Sequence, residues 1–287
     1  MGPVELAVDV RHDLGESVLW DDRAGELVWV NIHAGEIWRH CERRGLVRHA
    51  LPDRVGAIGL RRGPGYVVGL AKGFGFFDPT TGIYDAVAEV EADLPHTRLN
   101  DGRCDPAGNF LCGGINEAGA ATSGLYRFSP AGLVERLLAG VSCANSTCFS
   151  PDGGTLYFAD MPQGRIMRYD YDPAGPLGTA HQFCDFAGQR GLPDGATVDA
   201  EGCLWSTHWG GGKIVRHAPD GTVLQQVALP VTNPTCLAFG GPDYRTLFIT
   251  TARFQLSADQ LQREPLAGAV LKIRTDVAGI AEPRFNG

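Results

Sequence analysis

The chain of 287 residues holds 39 Gly, 18 Pro, 33 acidic residues against 25 Lys and Arg, and 44% hydrophobic residues. Glycine and proline at this density exclude a coiled coil or helical bundle, since each interior Gly costs roughly 1 kcal/mol and each interior Pro roughly 3. The ordinary apolar share excludes disorder, and a net charge of −8 argues against a nucleic-acid partner.

The N-terminal run MGPVELAVDVRHD has no basic leader followed by an apolar stretch, and nowhere do eighteen apolar residues run together. The expectation is a cytoplasmic protein with no membrane partner. Eight cysteines form no CxxC pair and no zinc-ligand cluster, so they are expected to be reduced thiols, several of them in the core.

Along the chain one grammar recurs: a Gly, Asp or Pro turn, a short alternating apolar run, a polar turn, and a second run. It appears in WDDRAGELVWVNIHAGEIWRH (20–40), then in RRGPGYVVGLAKGFGFFD (61–78). DPAGNFLCGG with GLYRF follows (105–128), then SPDGGTLYFADMPQGRIMRYDYD (150–172) and DAEGCLWSTHWGGGKIVRH (199–217). The last copy is GGPDYRTLFITTAR (240–253), completed by AGAVLKI (267–273). Markers at Trp20, Arg62, Asp105, Ser150, Asp199 and Gly240 are spaced by 42, 43, 45, 49 and 41 residues. That period, with several short strands per unit, predicts an all-β, six-bladed β-propeller, a single domain over 1–287. One helical turn is expected at 257–266, in a loop of the last blade. A β-sandwich does not explain the repeat, and a TIM barrel lacks its helices.

No GxxxxGK[ST], GxSxG or HExxH motif is present, and Asp170-Tyr171-Asp172 does not continue as an EF-hand loop. Gly73-Phe74-Gly75 is read as a turn between strands rather than as a nucleotide loop.

In a propeller the chemistry gathers at one end of the central channel, where inner strands begin. Polar residues placed just before those strands are therefore the candidates: Glu16, Asn100 with Asp101, Asn145 and Asp194. Each alone reads as an ordinary turn residue. Their recurrence in four blades suggests converging oxygen ligands of the kind a hard divalent cation takes. His208 is expected either to line the pocket or to be hydrogen-bonded within the propeller.

LGESVLW (14–20), RLNDGRCDPAG (98–108), FSPDGGTLYFAD (149–160), LPDGATVDAEGCLW (192–205), FGGPDYRTLFITTAR (239–253) and PLAGAVLKI (265–273) cover the chain in order. In these stretches it resembles the regucalcin/gluconolactonase family of six-bladed propeller lactonases. The resemblance implies hydrolysis of a sugar lactone to its aldonic acid, a reaction of carbohydrate metabolism. It also implies one divalent cation (Ca, Zn, Mg, Mn or Fe(II)) held in the channel by Glu16, Asn145 and Asp194, with Arg98, Asn100 and Glu117 contacting the substrate. The family often has Gly where this chain has Ser146, and a serine is accommodated there if φ stays negative. The run Ile115-Asn116-Glu117-Ala118 also departs from the family's pattern.

In the chemistry that follows, the cation polarises the lactone carbonyl and Asp194 positions or deprotonates water. Activation of water by the cation alone is the alternative. Two other functions remain open from sequence: a phosphotriesterase-like hydrolase and a non-catalytic calcium-binding propeller. A monomer or weak homo-oligomer is expected.

Overall fold

In the computed structural model, which describes residues 1–287, twenty-four strands form six four-stranded antiparallel sheets. After β1 (Val4–Val8), blade one holds β2 (Gly15–Asp21), β3 (Glu26–Asn31), β4 (Glu36–Cys41) and β5 (Gly45–Ala50). Blade two holds β6 (Val55–Leu60), β7 (Tyr66–Leu70), β8 (Gly73–Asp78) and β9 (Ile83–Glu89). Blade three holds β10 (Thr97–Cys104), β11 (Phe110–Asn116), β12 (Ser123–Phe128) and β13 (Val134–Val141). Blade four holds β14 (Ala144–Phe149), β15 (Thr155–Asp160), β16 (Arg165–Asp170) and β17 (Ala180–Asp185). Blade five holds β18 (Leu192–Val198), β19 (Leu204–Trp209), β20 (Lys213–His217) and β21 (Val223–Ala228). Blade six holds β22 (Pro234–Gly240), β23 (Thr246–Thr251) and β24 (Val270–Arg274).

Burial falls from the channel outward. Inner strands β6, β14 and β22 are buried at every residue, whereas outer strands β5, β9 and β21 are mostly exposed. An inner strand is flanked by both neighbouring blades, so its side chains are apolar or hydrogen-bonded on both faces. The core lies between blades. Leu19, Val28 and Val30 of blade one meet Ile58, Val68 and Phe77 of blade two, and Trp205 packs edge-on against Phe239 between blades five and six.

The sixth blade is completed by the other end of the chain. β1 pairs antiparallel with β24, Val4 opposite Ile273, giving the order β1-β24-β23-β22. The repeat reading ended this blade at 267–273 and gave it no N-terminal strand. At five residues, with four of them at least partly exposed, β1 carries little periodic signal. The expected helical turn is α1 (Ala258–Arg263), started by a capping box between Ser257 and Gln260.

Gly73-Phe74-Gly75 is not a turn but the start of β8. These glycines answer close packing: a Cβ at Gly73 would lie 2.2 Å from the Ala88 carbonyl oxygen, and one at Gly75 would lie 2.4 Å from that of Asp85.

The C-terminal segment after β24 crosses one end of the channel as a strap. It exchanges backbone hydrogen bonds with blade two (Phe285 N to Leu60 O, Arg62 N to Phe285 O), blade three (Asn286 N to Gly108 O) and blade five (Ala200 N to Ala278 O). From the strap, Glu282 approaches the buried Arg103 beneath it to 3.6 Å. The candidate polar residues lie at the opposite end of the inner strands.

Candidate active and cation site

Every inner strand breaks register near its start: between Glu16 and Leu19, Val55 and Ala57, Leu99 and Asp101, Asn145 and Cys148, Pro193 and Ala196, and Pro234 and Leu237. Such irregularities bend a strand and re-aim its side chains. Glu16, Asn100, Asp101, Asn145 and Asp194 sit in or beside these breaks. They therefore lie within the first turns of the strands, not before them as the sequence reading placed them. The β-rich runs that mark the strands in sequence begin only after the irregularity.

Glu16, Arg98, Asn100, Asn145 and Asp194 line one cavity of about 250 Å³, together with Leu14, Met161, Leu192, Trp209 and Phe254. A larger cavity of about 650 Å³ opens between the first and last blades at Trp20 and Phe248. It gathers none of the candidate residues.

Glu16, Asn145 and Asp194 are all buried. Burial pushes the Glu16 carboxyl above the usual range, and the charge of Asp101 adds to the shift. Burial, then Glu16, then Asp101 do the same to Asp194. Glu16 and Asp194 thus share a desolvated place, with the charge of Asp101 near enough to act on both. Asn145 Nδ2 is turned to the sulfurs of Cys143 and Met161 at 3.7 and 3.5 Å, so the three residues offer two carboxylates and an amide oxygen, a donor set that suits a hard divalent cation.

A polar chain runs from this cluster across the cavity. Arg98 donates through Nη1 to Asn100 Oδ1 at 2.7 Å, and Asn100 donates through Nδ2 to Ala144 O at 2.9 Å and Asn145 Oδ1 at 3.5 Å. Glu117 does not line the cavity. It accepts from Arg98 Nε at 3.0 Å and from Arg54 Nη1 at 2.7 and 2.9 Å, which places it behind Arg98. Although its partial burial opposes ionisation, the two guanidinium groups hold its carboxyl below the usual range.

Ser146 departs from the expected conformation: its φ is +59°, and Ser17, next to Glu16, has φ +48°. Both hydroxyls are engaged with the next blade. Ser146 Oγ donates to Asp194 O at 2.5 Å, and Ser17 Oγ accepts from Ile58 N at 3.0 Å. These bonds hold left-handed backbone that a serine otherwise disfavours. His208 lies inside β19, stacked on Phe186 at 4.2 Å with neither ring nitrogen hydrogen-bonded, and it does not line the cavity.

Sequence reasoning missed Arg54 and the apolar lining. It noted Asp101, whose Oδ2 accepts from Thr147 N at 2.8 Å, without assigning it a role. Arg54 carried no signal, because its loop becomes adjacent to Glu117 only when blades two and three close together.

Residues 14–253 match the model of the family described as SMP-30/Gluconolactonase/LRE-like region. The chain belongs to this family. It is 40% identical to an L-arabinolactonase of Azospirillum brasilense over 100% of this chain and 96% of that one. It is 39% identical to a 6-deoxy-6-sulfogluconolactonase of Pseudomonas putida over 96% and 95%. A crystal structure of a calcium-binding protein, regucalcin, from Agrobacterium tumefaciens superposes with a TM-score of 0.95 at 33% identity, covering 100% of this chain and 98% of that one. The Agrobacterium protein thus shares this propeller along its full length.

Proposed function

We propose that this chain, acting as one 287-residue lactonase domain, hydrolyses the ring ester of a sugar lactone to the aldonic acid with the help of a divalent cation. The observation that carries the reading is the buried convergence of Glu16, Asn145 and Asp194, with Arg98 and Asn100 in the same cavity. The lactonases among its relatives support the substrate class, and the calcium-binding regucalcin supports the cation.

Glu16, Asn145 and Asp194 hold the cation, which when bound supplies Lewis-acid polarisation of the lactone carbonyl. Asp194 also faces the cavity as the acceptor that orients water for attack on the carbonyl carbon and takes its proton. The water oxygen adds to the carbonyl carbon, the ring carbon–oxygen bond then breaks, and Asp194 returns the proton it took to the departing ring oxygen, which leaves as a hydroxyl. Arg98 and Asn100 donate to the sugar hydroxyls, the guanidinium offering a directional pair of N–H groups. Glu117 acts behind Arg98 and sets its direction.

A panel of glucono-, xylono-, arabinono- and galactonolactone, run beside an aryl phosphotriester with several divalent ions, tests this reading. Turnover of at least one aldonolactone far above the phosphotriester supports it. Preference for the phosphotriester, or cation binding without any hydrolysis, rejects it.

A further inference from the structure

An apolar strip runs along one side of the cavity mouth. Leu192 and Trp209 are cross-strand partners of β18 and β19. Phe254 follows β23, its ring centroid 6.5 Å from that of Trp209 at an interplanar angle of 48°. Leu192 and Phe254 remain 38% and 37% exposed although both line the cavity. Leaving this area wet costs free energy that a seated ligand would recover.

The strip is held in place. The buried Asn233 accepts from Gly210 N at 3.2 Å and donates to Phe254 O at 3.0 Å, which joins the turn after Trp209 to the residue that bears the second ring. His33 sets its edge against Phe254 at 4.8 Å and is itself paired with Asp13 at 2.5 Å. In a ring of six, blade six stands opposite blade three, which carries Arg98 and Asn100.

We propose that Trp209 and Phe254 form the subsite for the C–H face of the lactone ring and are specificity-determining residues of this site. The inference rests on the lactone reading above. A sugar lactone has two chemistries, hydroxyl groups at its periphery and a face of C–H bonds. Arg98 and Asn100 suit the first, and a tilted aromatic pair suits the second. Asn233 is a positioning residue that acts through both rings.

The test compares the wild type, the double variant Trp209→Ala/Phe254→Ala, and Trp209→Phe. Three quantities are measured: kinetics with gluconolactone, inhibition by δ-valerolactone, which lacks ring hydroxyls, and cation affinity by calorimetry. The double variant is expected to raise KM and the valerolactone inhibition constant by about tenfold each, with kcat within about threefold and cation affinity unchanged. Trp209→Phe is expected to recover most of the loss. Arg98→Ala, by contrast, is expected to raise KM for gluconolactone while leaving valerolactone inhibition within twofold. Constants within twofold of wild type in the double variant overturn the wall. So does a loss confined to gluconolactone, or one accompanied by loss of cation affinity. A wild type that hydrolyses no lactone overturns the reading beneath the wall as well, so the two failures are told apart.

Discussion

The hydroxyl of Ser146 donates a 2.5 Å hydrogen bond to the backbone carbonyl of Asp194, joining the neighbour of one proposed cation ligand to another ligand on the next blade. Ser146 is fully buried with φ +59°, so a local backbone cost is offset by a bond between blades. Ser146→Gly loses the bond but removes the cost, whereas Ser146→Ala loses the bond and keeps it. Thermal denaturation should therefore find Ala less stable than Gly by roughly 1 kcal/mol, the reverse of the usual order within a strand.

Arg98 is directed by a carboxylate that it shares with Arg54. Glu117→Gln keeps an acceptor but removes the charge, so the guanidinium is held less firmly. KM for an aldonolactone should rise several-fold, kcat should change less, and cation affinity measured by calorimetry should stay within twofold.

At the strapped end, Glu282 is the carboxylate that approaches the buried Arg103. Glu282→Ala leaves that guanidinium without its counter-charge and should lower stability by roughly 3 kcal/mol in a denaturant titration. The change lies at the other end of the channel from the cation ligands, so the cation affinity of the folded fraction should be retained.

Three buried histidines oppose protonation in the fold. Burial lowers His12 and His217 to about 4, and burial with the nearby Lys213 and His217 lowers His208 to about 3. The unfolded chain takes up these protons near pH 6.5 and the fold does not, so the stability these three groups contribute is retained above pH 6.5 and falls as the pH drops toward 4, against the opposite slope of the raised Glu16 and Asp194 carboxyls. The slope is about 1.4 kcal/mol per pH unit for each group. His208→Phe replaces a ring that makes no hydrogen bond and should flatten the slope measured by thermal denaturation between pH 6.5 and 4.5.

The blades were legible because each repeats a turn and two alternating runs, a local pattern that survives without tertiary context. The closing strand Val4–Val8 was not, because it is short and its partner Val270–Arg274 lies at the far end of the chain. Glu16, Asn100, Asn145 and Asp194 could be picked out because polar residues recur where inner strands begin. Their exact setting could not, since the register breaks that aim them depend on pairing with the second strands. Glu117 was read as a substrate contact, yet it sits behind Arg98 with Arg54. No spacing in sequence encodes that meeting of two blades. The left-handed Ser146 escaped for a similar reason, because what holds it is a carbonyl 48 residues away.

The most direct test of the cation-assisted site is lactone turnover by protein stripped with a chelator and then titrated with divalent ions. The account predicts at least a roughly hundredfold loss on stripping, recovery near one equivalent of cation, and no recovery in Asp194→Asn that remains folded. Undiminished turnover of the stripped protein, or full activity in Asp194→Asn, would contradict it.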